Sequence, residues 1–214
     1  MDFEFTNDRL EHKVIIVTGS TQGLGEYIAH RAARLGAAGI VICGRNEANG
    51  KNVVCELEEA GTKAIYVPAD LEKEEDCRTI VKRCAETFGR MDGLVNSAGL
   101  SSRGTLDSTS VELWNQLFNI NTRAPFILMQ EAVRVMKREK IKGSIVNIMT
   151  MGAYGGPPQL MAYCSSKAAL SVLTKNVAQT LQPSGIRANG LNIGWTETPG
   201  EHAVQKATGQ PDNW

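Results

Sequence analysis

The segment VIIVTGSTQGLG, residues 14–25, joins a short apolar run to a turn that contains three glycines. The run VIIVT (14–18) has no polar alternation, which is typical of a strand buried on both faces of a parallel sheet. Gly19 allows a tight turn, Gly23 lets the backbone approach a diphosphate, and Gly25 permits close packing of strand and helix. The N-terminus of the following helix favours an anion at the same point. The segment therefore predicts the first strand–turn–helix unit of a dinucleotide-binding fold.

The spacing of these glycines leaves a second interpretation open. Gly-x3-Gly-x-Gly differs from the commoner Gly-x-Gly-x-x-Gly fingerprint, and three glycines also occur in turns that bind nothing. The position of the turn, directly after a buried strand at the head of a βαβ unit, favours nucleotide binding.

The remainder of the chain alternates β-branched runs with stretches of helical periodicity, which is the pattern of stacked βαβ units. Further strands are predicted at 39–43, 64–68, 92–96, 144–149 and 186–193. Helices are predicted at about 24–35, 47–60, 72–88, 111–138 and 160–182, and the residues after 193 are weakly patterned. Right-handed crossovers then give an α/β fold, a doubly wound, Rossmann-like parallel sheet in strand order 3-2-1-4-5-6. We predict a single domain over residues 1–214.

The composition limits the classes of function. The 214 residues are 42% hydrophobic and 21% charged, as in an ordinary globular domain. Lysine plus arginine and aspartate plus glutamate both number 23, so no nucleic-acid or membrane partner is expected. The five cysteines are never spaced C-x-x-C, and neither disulfides nor a metal site is expected. The N-terminal MDFEFTNDRLEHK has no apolar signal core, so we expect a soluble, cytoplasmic protein.

The residues that follow the second and third strands indicate which dinucleotide binds. The sequence CGRN (43–46) places Gly44, Arg45 and Asn46 beside the expected adenosine ribose. An arginine suits a 2′-phosphate, whereas an acidic residue would suit a free 2′-hydroxyl. NADP(H) is therefore favoured over NAD(H), and a solvated surface arginine is the alternative. Asp70 is placed to meet the adenine or, equally, to cap a helix.

The segment YCSSKAAL (163–170) places a tyrosine and a lysine one helical turn apart. Positions i and i+4 of a helix share a face, so Tyr163 and Lys167 would point the same way. The small residues between them would let a ligand and neighbouring helices approach that face. The alternative is a surface tyrosine and lysine on an amphipathic helix.

Three further motifs follow in order along the chain, namely NSAG (96–99), GSIVNIMT (143–150) and IGWTET (193–198). With the glycine turn and YCSSK, they make the chain similar to the short-chain dehydrogenase/reductase family from about residue 12 to residue 200. The resemblance implies an oxidoreductase that transfers hydride between NADP(H) and a carbonyl or secondary alcohol. It implies the catalytic residues Asn121, Thr150, Tyr163 and Lys167.

Two positions depart from the usual pattern of that family. The family serine lies thirteen residues before its tyrosine, and Thr150 occupies that position here. Threonine keeps the hydroxyl but adds a stiff β-branch, so slower or narrower catalysis is expected. Ile193 replaces the usual proline before Gly194, which makes the following loop less rigid.

The chemistry expected of Tyr163 depends on its pKa, because tyrosine has an ordinary pKa of about 10. We expect the Lys167 ammonium and the positive charge of oxidised nicotinamide to stabilise the phenolate and lower that pKa. Tyr163 would then donate a proton to a carbonyl oxygen or remove one from an alcohol. Lys167 would also bond the nicotinamide ribose, and Thr150 would hold the substrate oxygen.

Asn121 has an argument of its own, because Pro125 follows four residues later and has no N–H. The carbonyl of Asn121 thereby loses its intrahelical donor. The freed carbonyl could hold a water that links Lys167 to solvent, as the resemblance implies. The alternative is an asparagine that merely ends one helix before another.

The cofactor contacts implied by the resemblance come from the glycine turn, the strand ends and the loop after the sixth strand. The backbone near Thr196 and the Thr198 hydroxyl would meet the nicotinamide amide. The expected set is Gly19, Thr21, Gln22, Gly23, Leu24, Gly25, Arg45, Asn46, Asp70, Leu71, Asn96, Ala98, Gly99, Tyr163, Lys167, Gly194, Thr196 and Thr198.

Family members usually continue further and add a helix and a seventh strand. We therefore expect this domain to be truncated at its C-terminus, with residues 186–193 as an exposed sheet edge. Cover from a partner subunit is the alternative. The resemblance also implies a homodimer or homotetramer that pairs through the helices of Tyr163 and Asn121.

Two functions remain open at this point. The first is the oxidoreductase, and the second is a catalytically weak or inactive nucleotide-binding sensor or interaction protein of the same fold. The substrate pocket is expected from residues 101–106, residues 151–159 and the segment after Thr198, with Arg103 as the only nearby cation. This composition favours a neutral small-molecule carbonyl compound, such as a sugar, a steroid-like alcohol or a 3-oxoacyl thioester.

Overall fold

The computed structural model describes residues 10–207 and 209. Six parallel strands form one sheet in the order β3-β2-β1-β4-β5-β6, which confirms the predicted order. The prediction that the N-terminus lacks a signal core concerns residues 1–13, of which only residues 10–13 lie in the described range. The strands are β1 (Val14–Thr18), β2 (Gly39–Gly44), β3 (Lys63–Pro68), β4 (Gly93–Asn96), β5 (Ser144–Thr150) and β6 (Arg187–Ile193).

Seven α-helices flank the sheet in the described residues. The helices are α1 (Gly23–Arg34), α2 (Glu47–Glu59), α3 (Glu74–Phe88), α4 (Val111–Phe118), α5 (Ala124–Arg138), α6 (Met161–Leu181) and α7 (Pro199–Ala207). Helices α3, α5 and α6 pack an apolar cluster against one face of the sheet, whereas α1 and α2 cover the other face. None of the described helices has the length and apolar character needed to cross a membrane.

The central strands are buried as the sequence predicted. All five residues of β1 are buried, because helices cover both faces of the sheet at its centre. The apolar cluster under α1 and α2 extends only from β3 to β4. On β6, at the edge of the described sheet, Leu191 is 54% exposed.

The helix predicted over residues 111–138 is divided, which corrects that prediction. A π-helical turn at Asn119–Arg123 separates α4 from α5. Pro125 has no N–H for the carbonyl of Asn121, so the regular i→i+4 ladder is interrupted at this point. The division places Asn121 on the irregular turn rather than within a regular helix.

Helix α7 forms where the sequence had only weak patterning, so this element was missed. A short 3₁₀ turn, Met151–Tyr154, also follows β5. Both additions lie at the carboxyl side of the sheet, on the edge that a doubly wound fold uses for ligands.

The amino side of the sheet is held by a buried carboxylate. Asp92 precedes β4, and its Oδ2 accepts the backbone N–H of Val14 at 3.0 Å. The Arg90 guanidinium donates to both carboxylate oxygens, at 2.9 and 2.7 Å. The carbonyl of Asp92 accepts from Ser144 N at 2.9 Å, so this one residue links the starts of β1, β4 and β5.

Candidate active site

A cleft of about 530 Å³ opens at the carboxyl ends of the central strands. Its walls come from the glycine turn, the end of β2, the loop after β4, the start of α6 and the loop and helix after β6. The strand order reverses between β1 and β4, and ligands of doubly wound sheets bind at such a point.

The glycine turn forms a narrow, bare cradle at one end of the cleft. Gly19 has φ +64°, and a Cβ atom at this position would lie 2.8 Å from the Cα of Ala98. A Cβ at Gly25 would lie 2.3 Å from the carbonyl oxygen of Gly19. Helix α1 begins at Gly23, and the Gln22 side chain does not cap it. The first N–H groups of α1 are therefore suited to an anionic group such as a diphosphate.

The end of β2 forms the adenosine side of this cradle. A Cβ at Gly44 would lie 2.8 Å from Cγ2 of Thr21, so the residue must be small. Arg45 is exposed and lines the cleft. Asp70 also lines the cleft, while its Oδ1 accepts the N–H of Glu72 at 3.1 Å. The alternative prediction, a helix cap, is wrong, because Lys73 is the N-cap residue of α3 and no side-chain bond from the described residues caps that helix. The contact of Asp70 with the adenine stays a prediction.

Tyr163, Lys167 and Thr150 converge at the middle of the cleft. Helix α6 carries the first two, one turn apart, and β5 ends at the third. Thr150 lies beside Tyr163, where its hydroxyl acts on the phenol as a hydrogen-bonding group and favours the phenolate. Its Oγ1 also accepts the N–H of Gly152 at 3.2 Å, which fixes the threonine rotamer. The β-branched residue therefore still presents its hydroxyl to the tyrosine.

Lys167 is a buried cation, with only 3% of its surface exposed. Its Nζ donates to the carbonyl of Ile148 at 2.8 Å. Burial lowers the pKa of Lys167 from its ordinary 10.5 to about 8, because a charge is costly away from water. The ammonium is still the main form at neutral pH.

The pKa of Tyr163 lies above its ordinary value of 10. Burial of the phenol is the main cause, and the hydrogen bond from Thr150 opposes it without overcoming it. Lys167 is not among the groups that shift this pKa, and the predicted lowering by Lys167 together with oxidised nicotinamide stays a prediction. The phenol is protonated at neutral pH.

Asn121 is fully buried and lies beneath the cleft rather than in its wall. Its Nδ2 donates to Leu100 O at 2.9 Å and to Ser166 Oγ at 3.0 Å, and its Oδ1 accepts from Leu100 N at 2.9 Å. A Cβ at Gly99 would lie 3.5 Å from both Asn121 Oδ1 and Lys167 Nζ, so the two side chains flank one stretch of backbone. The water-holding role of its carbonyl stays a prediction.

The far end of the cleft contains an ion pair that the sequence did not reveal. Arg103 Nη2 and Glu201 Oε1 are 3.0 Å apart, and the two side chains are 12% and 14% exposed. Trp195 Nε1 donates to the same carboxylate oxygen at 3.0 Å. Arg103 was predicted to be the only nearby cation, and its charge is in fact neutralised by a residue of α7.

Comparison with known proteins identifies the chain. The family model of the short chain dehydrogenase matches residues 13–209. The chain is a member of this family.

Individual relatives agree with the assignment. A 3beta-hydroxysteroid dehydrogenase of Mediterraneibacter gnavus is 34% identical over 196 residues, which cover 91% of this chain and 70% of the relative. An uncharacterized oxidoreductase of Thermotoga maritima is 36% identical over 200 residues, or 94% of this chain and 78% of the relative. A short chain dehydrogenase of Burkholderia cenocepacia, solved in complex with NADP, superposes with a TM-score of 0.85 at 33% identity, covering 94% of this chain and 83% of that chain.

Most residues predicted for the cofactor site line the cleft of this family member. These are Gly19, Thr21, Gln22, Gly23, Leu24, Gly25, Arg45, Asp70, Leu71, Ala98, Gly99, Tyr163, Lys167, Gly194, Thr196 and Thr198. Asn46 and Asn96 do not line it. Asn46 caps α2 by accepting Asn49 N at 3.0 Å, and Asn96 Nδ2 donates to Asn147 Oδ1 at 2.7 Å between β4 and β5. Both are placed to support the structure around the cleft.

The sequence predicted that the segment after Thr198 contributes to the substrate pocket, but it singled out neither Trp195 nor Glu201 of the cleft. The sequence does carry a signal for the helix of Glu201, since Pro199 at a first helical position followed by an acidic first turn is a common helix start. The pairing of Glu201 with Arg103 had no local signal.

A grouping of possible metal ligands also occurs away from the cleft. Glu26, His30 and Glu56 bring three ligand atoms within 4.8 Å of one another on α1 and α2. His30 Nε2 lies 3.1 Å from Glu56 Oε2, and all three side chains reach solvent. An ordinary surface ion pair accounts for this grouping.

Proposed function

We propose that this chain is an NADP(H)-dependent oxidoreductase that interconverts a carbonyl compound and an alcohol, with Tyr163 as the general acid and base. The observation that carries the proposal is the convergence of Tyr163, Thr150 and the buried Lys167 on one cleft, with the Thr150 hydroxyl beside the phenol. A substrate oxygen that contacts both hydroxyls would be held where a proton can reach it.

The protonation states favour Tyr163 as a proton donor at neutral pH. Burial keeps the phenol protonated, so it can give its proton to a carbonyl oxygen as negative charge develops there. The Lys167 ammonium, one helical turn away, then stabilises the phenolate that remains. Thr150 holds the substrate oxygen in line with the phenol. Asn121 acts from below by fixing the backbone of Leu100 through its amide.

The cleft fits a phosphorylated dinucleotide along its length. NADP(H), when bound, supplies or accepts the hydride. The uncapped start of α1 and the bare glycine turn suit the diphosphate, and the exposed Arg45 suits a 2′-phosphate. Thr196 and Thr198 line the other end, where the nicotinamide amide would lie. The NADP complex of the Burkholderia cenocepacia relative supports a dinucleotide in this cleft and does not by itself exclude NAD(H).

The walls of the substrate end support a small organic substrate. Leu160, Met151 and Trp195 contribute apolar surface there. The Mediterraneibacter gnavus relative is named for a 3beta-hydroxysteroid, which is a neutral secondary alcohol. Both observations support an uncharged carbonyl or alcohol as the substrate class.

The test compares Tyr163→Phe with the wild type. We expect the variant to lose about 10²- to 10⁴-fold in turnover of the ketones that the wild type reduces, since general acid–base catalysis contributes that much. The dissociation constants for NADPH and NADH, measured by calorimetry, should be the same in the variant and the wild type. Both proteins should bind NADPH more tightly than NADH. The assay uses a panel of ethyl acetoacetate, cyclohexanone and a 3-oxosteroid, with absorbance of the reduced cofactor as the readout.

Tyr27→Phe is the matched control, because Tyr27 is 65% exposed on α1 and does not line the cleft. It should retain wild-type turnover. Equal turnover in Tyr163→Phe and the wild type would contradict the role of Tyr163. Tight NADPH binding without turnover of any ketone or alcohol would instead favour the sensor alternative.

A further inference from the structure

We infer that the Arg103–Glu201 pair makes this site selective for uncharged substrates, with Glu201 keeping a substrate carboxylate away from Arg103. The inference rests on the proposed function, because it names the class of carbonyl compound that the cleft accepts. It assigns Glu201, a residue of α7, as a specificity-determining residue.

Arg103 is fixed at the substrate end by the backbone that surrounds it. The next residue, Gly104, donates its N–H to the carbonyl of Gln159 at 2.8 Å and forms a bridge with Leu160. Leu160 immediately precedes α6, the helix that carries Tyr163. The backbone next to Arg103 is therefore held close to the start of α6, and Arg103 lines the cleft at this end.

Glu201 is held as firmly from the opposite wall. Its Oε1 accepts from Arg103 Nη2 at 3.0 Å, from Trp195 Nε1 at 3.0 Å and from Gln205 Nε2 at 2.8 Å. After burial of the phenol itself, the charge of Glu201 is among the influences that raise the pKa of Tyr163. The carboxylate thus lies close enough to the reacting end of the cleft to act on what binds there.

The charges of this end of the cleft cancel. Among the described residues that line it, the charged side chains are Arg103, Glu201 and Lys167. Lys167 already donates to the Ile148 carbonyl, and the other two form the ion pair. An incoming carboxylate would meet the like charge of Glu201 and find the guanidinium occupied. Displacing a mostly buried ion pair is costly, whereas an uncharged carbonyl compound meets no such cost.

The substitution Glu201→Gln isolates this effect. The glutamine oxygen can still accept from Trp195 and Gln205, so the fold of α7 is retained while the negative charge is removed. Arg103 then keeps its charge without a counterion, and its Nε is already buried without a hydrogen-bond partner in the described structure. A guanidinium in that state suits a carboxylate, to which it makes paired charge-assisted bonds.

The experiment measures binding of a matched pair of probes by calorimetry, 4-oxocyclohexane-1-carboxylate and its ethyl ester. The wild type should bind the ester more tightly than the carboxylate. Glu201→Gln should shift the ratio of the two affinities toward the carboxylate by about tenfold or more, the size expected of one hydrogen bond to a charged group. The double variant Arg103→Gln/Glu201→Gln should lose this gain. Glu197→Gln removes an exposed carboxylate paired with His202 and should behave as the wild type.

The inference is overturned if the affinity ratio of Glu201→Gln equals that of the wild type. It is also overturned if the wild type binds the carboxylate and the ester with equal affinity. Undetectable carboxylate binding in Glu201→Gln overturns it too. Thermal unfolding of each variant reports whether the fold is retained. Turnover of the ketone panel is a separate readout. If the protein turns over none of these ketones and Glu201→Gln still shifts the affinity ratio, the proposed catalysis is rejected and the selectivity stands.

Discussion

Lys167 is a charged side chain held almost entirely away from water. A buried ammonium is unfavourable for folding, and its low pKa of about 8 measures that cost. We propose that a role in the chemistry of the cleft, rather than a contribution to stability, accounts for this position. Such residues are where function and stability oppose one another.

We predict that Lys167→Met stabilises the protein at pH 7, by an amount on the order of 2–3 kcal/mol. The folded protein releases the lysine proton near pH 8, whereas the unfolded chain keeps it until about pH 10.5. Wild-type stability from this group therefore rises with pH across that interval, and the advantage of the variant shrinks. Urea unfolding at pH 7 and pH 10 measures the difference.

Lys175→Met is the control for this substitution, because Lys175 is exposed on the same helix. It should change stability little at either pH. A Lys167→Met protein less stable than the wild type at pH 7 would show that the bond to Ile148 outweighs the cost of burial.

The sequence predicted the positions of Tyr163, Lys167 and Thr150 because their relation is local or follows a motif at fixed spacing. Glu201 and Arg103 are 98 residues apart, and nothing in the sequence near either residue indicates the other. The direction of the pKa shift of Tyr163 could not be predicted from the sequence either, because the shift depends mainly on burial of the phenol in the folded protein.

The π turn between α4 and α5 is the element that gives Asn121 its position. A regular helix would present a different set of side chains toward α6, whereas the widened turn directs the amide of Asn121 at Leu100 and Ser166. The loop after β4 is thereby tied to the helix that carries Tyr163. Pro125 enforces the turn by lacking the donor that a regular helix needs.

We predict that Asn121→Ala lowers the free energy of unfolding by about 2–3 kcal/mol, because it leaves buried partners without their hydrogen bonds. The Leu100 amide, which donates to Asn121 at 2.9 Å, should also exchange faster with solvent. Chemical unfolding and amide hydrogen exchange measure the two effects.

Asn115→Ala tests the same substitution at an exposed position of α4. It should cost little stability and leave the exchange of the Leu100 amide unchanged. Equal stability of the two variants would show that the buried amide is not a structural link.

At the scale of elements, strands were predicted to within a residue or two because buried apolar runs are short and bounded by turn residues. Helix α7 was missed for the opposite reason. Its nine residues, PGEHAVQKA, contain no apolar stripe, and the helix is held mainly by polar contacts such as that of Glu201 with Arg103. Contacts of this kind are made by the tertiary structure and leave no periodicity in the sequence.

Across the whole molecule, the Asp92 cluster is the electrostatic anchor of the sheet. Burial of the Asp92 carboxylate favours its protonated form, but the bonds from Arg90 and Val14 outweigh burial and hold its pKa below the ordinary value of 3.8. The ionised carboxylate therefore stabilises the fold at pH values above 3.8. That contribution is lost as the pH falls below 3.8 through the folded pKa.

We predict that Asp92→Asn lowers the free energy of unfolding at pH 7 by about 1–3 kcal/mol, since it removes the charge of a buried carboxylate that accepts bonds from Arg90 and Val14. The difference from the wild type should narrow as the pH falls below 3.8 toward the lowered pKa of the folded carboxylate. Thermal unfolding across pH 3 to 7 measures both. Asp107→Asn, at an exposed position, should track the wild type throughout.

The anchor and the cleft occupy opposite ends of the same strands. Asp92 links the starts of β1, β4 and β5, whereas Thr150, Glu201 and the glycine turn all lie where strands finish. The loops at the carboxyl ends of the strands can therefore change in sequence, length or charge during evolution, while the contacts of Asp92 at the amino ends stay the same. Substitutions at a few loop residues can then change the substrate preference gradually without altering the sheet.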